Sequence, residues 1–158
     1  MAASSDRVPR IAFEPSPALR DAVAAMPAAL ESARSEAVQA VAQRIADGVC
    51  RDLGVLAVRV RVAARRPHDR RRELHGLYTP KATGRDEITL WMRTAKRGQV
   101  VAYRTFLRTL LHELCHHLDY TLLRLRDSLH TQGFYRRESS LFTVLEPTRT
   151  MGTRAPSA

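Results

Sequence analysis

The sequence predicts an α+β domain: a small sheet of about three strands packed against an N-terminal helix and a long second helix, followed by a C-terminal helix. Three observations lead there. Apolar residues recur at intervals of three and four across residues 32–53 and again across 101–125, the spacing that lines one face of a helix. Between them, residues 55–63 alternate, with Val58, Val60 and Val62 on one side and Arg59 and Arg61 on the other, as a half-buried strand does. Residues 87–92, Glu-Ile-Thr-Leu-Trp-Met, give a second good strand,.

Taken in order, residues 1–16 carry Pro9 and Pro15, and Pro27 interrupts an alanine-rich piece after Asp21. Residues 1–30 are therefore expected to be a flexible N-terminal tail, with one folded domain over 31–146 and a disordered C-terminal tail over 147–158. Val38, Val41, Ile45, Val49 and Leu53 form the apolar stripe of the first helix, and Gly54 stops it,. The arginine-rich stretch 65–72 reads as a loop. Residues 74–79 read as a short strand stopped by Pro80, 81–85 as a turn with Gly84, and 96–99 as another turn,.

The chain has 158 residues and a net charge of +10, a length that suits one modest core. The charge is uneven: residues 1–52 hold six arginines against seven acids, and residues 53–158 hold twenty basic against nine acidic residues. Such a field makes DNA a candidate partner on charge alone. The plainer reading is a solvated basic surface, since only Lys81 and Lys96 are lysines. Few aromatics interleave with the arginines, so base stacking is not indicated. Cys50 and Cys115 are too few for a disulfide framework or a zinc ribbon,. No run approaches the ~18–20 apolar residues of a membrane span. Asp6, Glu14 and Asp21 make a poor signal peptide,, so a cytoplasmic location is the default expectation.

The chemistry concentrates in Leu111-His112-Glu113-Leu114-Cys115-His116-His117-Leu118-Asp119. His112 and His116 are four apart, so on a helix their imidazoles share a face and can close on one metal ion. Glu113, about 100° around the axis, can reach a water beside that ion without being a ligand. This is the arrangement of zinc metalloproteases, two His ligands and a Glu general base. The phase is consistent: Leu107, Leu110, Leu111, Leu114, Leu118 and Leu125 fall roughly opposite His112, while Thr105, Thr109 and Asp119 share the histidine face,. That polar face is expected to floor a cleft.

A catalytic zinc needs three protein ligands and one open position. His130 lies fourteen residues beyond His116, past the expected helix end, and Phe134 follows four residues later. Here the chain resembles the SprT-like zincins, whose pattern is His-Glu-x-x-His, a spacer of this order, then His-Gly-x-x-Phe. This sequence has His130-Thr131-Gln132-Gly133-Phe134, with the glycine displaced by two positions. The resemblance covers roughly residues 55–145. It implies a zincin-like fold, one Zn2+ held by His112, His116 and His130, Glu113 as catalytic base, and a protein or peptide substrate. Glu138 is the alternative third ligand, as in gluzincins; otherwise it is an acceptor orienting an imidazole or a surface charge.

In zincins an edge strand beside the metal helix pairs with extended substrate backbone, and residues 87–92 occupy the matching place in sequence. Tyr135, Arg137, Tyr78 and His75 are candidate oxyanion donors. His117 points away from the metal face and is expected to be a second-layer or core histidine; Asp119 either supports a ligand or is a surface charge. Trp91 and Cys115 are expected in the core. Two rival functions remain: a basic nucleic-acid-binding module with incidental histidines, and a non-catalytic zinc-binding domain.

Overall fold

The structure, a computed structural model, describes residues 2–65 and 76–146. The chain is α+β. It runs through helices α1 (Ala2–Asp6), α2 (Pro17–Glu31) and α3 (Ser35–Leu53), strands β1 (Arg59–Arg65), β2 (Gly76–Thr79) and β3 (Glu87–Arg93), and helices α4 (Tyr103–Thr121) and α5 (Gln132–Leu145). The expectations for residues 66–75, including most of the arginine-rich loop, and for the tail at 147–158 lie outside the described residues.

The N-terminal tail expected over 1–30 is replaced by two helices. Ser16 caps α2, its hydroxyl accepting from the Leu19 N–H, and Pro17 supplies a preset first turn,. Pro27 stays inside the helix. An interior proline costs ~3 kcal/mol, but Leu19, Val23, Met26 and Leu30 are all buried, at ~1.5–3 kcal/mol each. Burial against α3 therefore outweighs the break. Alanine-rich composition hid this stripe from a reading by period.

The sheet is mixed, in the order β1-β3-β2, with β1 parallel and β2 antiparallel to β3. Val60, Val62, Ile88, Leu90 and Met92 face the core, where α3 and α4 cover them. Arg59 and Arg61 face outward, as their alternation requires. Trp91 pairs in register with Ala63 on the outer face and is buried there, apart from the main core cluster.

The expected substrate strand is corrected by this topology. Strand β3 lies between two partners, so its backbone groups are consumed in the ladders; β2 is the edge strand beside α4. The opposite edge is closed by side chains of α3. Gln43 accepts the Val60 N–H at 2.8 Å and donates to the Val58 carbonyl at 2.9 Å, and Gln39 accepts the Val62 N–H at 2.9 Å. Among the described strands, β2 is the edge that lines the cleft.

Helix α4 stops at Thr121 rather than near 125. Arg124 takes a left-handed conformation (φ 55°), and the Leu125 N–H turns back to the Asp119 carbonyl at 2.8 Å. This early turn returns the chain toward α4 before α5 begins.

Because α2 is a core element, Leu19→Ala is expected to destabilise the protein by about 2–5 kcal/mol. Urea unfolding of the purified variant measures this, and a change below about 0.5 kcal/mol would return the segment to tail status.

Candidate metal centre

Three elements bring the site together. Helix α4 presents His112, Glu113 and His116, the turn before α5 presents His130, and β2 forms the facing wall. They enclose a cleft of about 560 Å³ lined by Gly76, Tyr78, Thr109, Glu113 and the three histidines, among others. The polar face read from the α4 phase is its floor.

The imidazoles converge through their Nε2 atoms. His130 Nε2 lies 3.1 Å from His112 Nε2 and 3.1 Å from His116 Nε2, and the three nitrogens fall within 4.8 Å of one another. Two ligands about a tetrahedral ion at ~2.0–2.1 Å stand roughly 3.3 Å apart, so these separations match a shared cation.

Proton bookkeeping points the same way. His112 Nδ1 lies 3.1 Å from Glu138 Oε1, and a carboxylate only accepts, so that nitrogen carries the proton. His116 Nδ1 lies 2.7 Å from Ser128 Oγ, whose own hydrogen goes to Asp119 Oδ2 at 2.7 Å. That nitrogen is again the donor. Both Nε2 atoms are left with lone pairs directed at His130 Nε2, so two of the three converging nitrogens are set as acceptors free to bind a cation. The residues present therefore fit a divalent ion of zinc type.

Glu138 contacts the outer nitrogen of His112 and is not among the converging donors. It is buried, which corrects the reading of it as a surface charge. Asp119 is fully buried and supports His116 through Ser128. Phe134 is also fully buried and underlies all three imidazoles, its ring centroid 5.0, 4.7 and 5.1 Å from those of His112, His116 and His130.

Burial sets the protonation of the site. It pushes Glu113 up to about 7, with the His112 charge and the Tyr78 backbone N–H opposing and the Glu138 charge assisting,. Burial lowers His116 to about 4, helped by the positive fields of His112 and His130, and His130 is lowered by burial and then by His112. Burial also opposes charge on His112, but the Glu138 bond and the charges of Glu113 and Glu138 outweigh it and raise that ring. Cys115 is raised well above the ordinary thiol range by burial, and Cys50 to about 11. Neither supplies a thiolate near neutral pH.

Strand β2 approaches Glu113 closely. The Tyr78 N–H bonds to its carboxylate, and a Cβ at residue 76 would stand 2.9 Å from both Cγ and Oε1 of Glu113. Only glycine leaves the carboxylate that space. Gly76 and Ser128 follow from contacts between separate elements, and no local pattern announces them; the supporting role of Asp119 is one of the two readings that its place on the histidine face allows.

The oxyanion candidates separate. Arg137 is fully buried and engaged with Asp119 and the N-terminal segment. The Tyr78 hydroxyl donates to Asp86 and faces His117. His75 lies outside the described residues. Tyr135 is half exposed, its ring 5.8 Å from that of His130. His117 is a buried connector, its Nε2 2.7 Å from the Leu56 carbonyl.

No protein-family model matches the chain, and no curated protein or solved structure matches it either.

Glu138→Ala is expected to weaken zinc binding about 10–100-fold without abolishing it. Competition with a chromophoric chelator reads this directly; unchanged affinity would remove Glu138 from the support of His112.

Proposed function

We propose that this protein is a zinc-dependent metallopeptidase of the zincin type, in keeping with its resemblance to SprT-like zincins. The observation that carries the reading is the meeting of three imidazole Nε2 atoms beside a buried carboxylate, with His112, Glu113 and His116 in the His-Glu-x-x-His spacing. His112, His116 and His130 would hold the ion. Zn2+ bound there supplies a Lewis acid that brings the pKa of water toward ~7 and polarises a carbonyl.

The chain's own residues account for the rest. Glu113 is buried beside the three histidines and is the base. It takes the proton of the attacking water and returns it to the leaving amine. The Tyr78 N–H and the clearance at Gly76 fix where that carboxylate stands. Glu138 and Ser128 hold two imidazoles in the tautomer that exposes Nε2. Strand β2, at the sheet edge and lining the cleft, offers the backbone groups that Glu113 does not take for pairing with an extended peptide,. Tyr135 is the remaining candidate to donate to the carbonyl oxygen as it gains charge.

The substrate is accordingly a protein or peptide. No helix among the described residues is long and apolar enough to cross a membrane. A nucleic-acid module with incidental histidines leaves their convergence without a cause. A purely structural zinc site leaves Glu113 buried beside the ion without a task.

Purified protein is expected to contain about one zinc ion per chain, lost in His112→Ala and His130→Ala. Elemental analysis of the three proteins decides it, and a zinc-free wild type ends the proposal. Glu113→Gln should keep the metal and lose about 10²–10⁴-fold in cleavage of an unstructured protein substrate; unchanged turnover would remove the general-base role. Gly76→Ala should also retain zinc yet cleave at least about tenfold more slowly, a loss of ~1.4 kcal/mol in transition-state stabilisation. Equal kcat/KM would show that Glu113 tolerates the added methyl.

A further inference from the structure

The N-terminal segment meets the same site from behind. Arg137, on α5 next to Glu138, is fully buried, as is Asp119 beneath it. Its NH1 donates to the carbonyls of Ser5 at 2.6 Å and Val8 at 2.8 Å, and its NH2 donates to Ser5 Oγ at 2.9 Å and Asp119 Oδ1 at 3.0 Å. Three of these four bonds end on residues 5–8. Among the described residues the guanidinium Nε has no acceptor, so losing the acceptors of residues 5–8 would leave further donors of this buried group unpaired.

From Asp119 the path continues outward. Its other oxygen accepts from Ser128 Oγ at 2.7 Å, and Ser128 Oγ meets His116 Nδ1 at 2.7 Å. The same segment touches the base of the turn that carries His130. Ser5 Oγ lies 2.9 Å from Thr131 Oγ1, and Asp6 Oδ1 accepts the Gly133 N–H at 2.7 Å. The fit is tight: a Cβ at residue 133 would stand 2.5 Å from the Ser5 carbonyl oxygen and 2.7 Å from Asp6 Cα. This seat uses Gly133, the glycine displaced from the family spacing.

We propose that residues 5–8 are part of the metal centre, positioning His116 through Arg137, Asp119 and Ser128, so that seating of the N-terminal segment sets the affinity of the site for zinc. The inference rests on the metal reading above. Its physical basis is that a buried guanidinium and a buried carboxylate each need their partners filled. Unseating Ser5 and Val8 leaves Arg137 short of acceptors. Arg137 then turns toward whatever oxygen remains, Asp119 follows, and Ser128 no longer holds the His116 tautomer. Supporting bonds of this kind are worth about 10–100-fold in metal affinity. The N-terminal segment thereby positions a ligand it never touches.

The test is a double-mutant cycle in the full-length protein, with zinc Kd from chelator competition and the absorption spectrum of the Co2+-substituted protein as readouts. Gly133→Ala pushes residues 5–6 off α5; Ser128→Ala cuts the path next to His116. Each is expected to raise the zinc Kd about tenfold and to shift the cobalt spectrum. The double variant is expected to fall well short of the product of the two single effects, because the path to His116 is already cut and only the contacts at the His130 turn remain to be lost,. Ser5→Ala, a milder change should Gly133→Ala fail to fold, should weaken binding in the same direction by a smaller factor.

Multiplying effects would overturn the proposal, since Gly133→Ala would then act independently of Ser128. So would an unchanged Kd and cobalt spectrum in Gly133→Ala and Ser5→Ala, whatever happens to their thermal stability. A wild type that binds no zinc fails the metal reading itself, and is distinguishable because every member of the cycle would then be metal-free.

Discussion

Helix α4 buries charged and polar side chains along with its leucines. Leu107, Leu110, Leu111, Leu114 and Leu118 meet the core, while Glu113, His117 and Asp119 are buried as well. A buried polar group without a partner costs roughly 1–3 kcal/mol, and a charged one more. Most of the remaining architecture can be read as supply for that demand. β2 gives Glu113 a backbone N–H, α5 gives His112 a carboxylate and Asp119 a guanidinium, and the turn between α4 and α5 gives His116 a hydroxyl. The Leu56 carbonyl and the Tyr78 hydroxyl serve His117.

The supply is unusually interlocked because neighbours in sequence serve different histidines. Arg137 and Glu138 are adjacent on α5, yet one reaches His116 through two intermediaries and the other binds His112 directly. Neither is a ligand, and both are buried. An ion pair such as Arg137–Asp119 is poor evidence for stability, because desolvation offsets much of its attraction. Its clearer contribution here is geometric: it fixes where Asp119 stands, and Asp119 fixes Ser128.

Much of this was legible in the sequence, and the legible part is the local part. The helical phase put His112 and His116 on one polar face, and the return of the chain after α4 brings His130 and Phe134 to them. The α3 stripe and its stop at Gly54 also follow local rules. What escaped depends on contacts between distant segments. Helix α2 is concealed by two prolines and many alanines, and its burial against α3 reveals it. The strand facing the histidines was misassigned because sequence order does not state sheet order. β3 runs directly before α4 but lies in the middle, and the four-residue β2 takes the edge. The sequence leaves Asp119 and Glu138 between support of a ligand and a surface charge, because nothing on their own helices discloses a partner on another.

The glutamine side chains on β1 have a consequence for how this molecule meets copies of itself. Gln39 and Gln43 fill the outward N–H groups of Val60 and Val62, so among the described strands a second sheet can dock on one border only. That border is the wall of the cleft that holds Glu113. Self-association by strand addition would therefore occlude the histidines, closing the cleft to any other occupant as the protein becomes crowded.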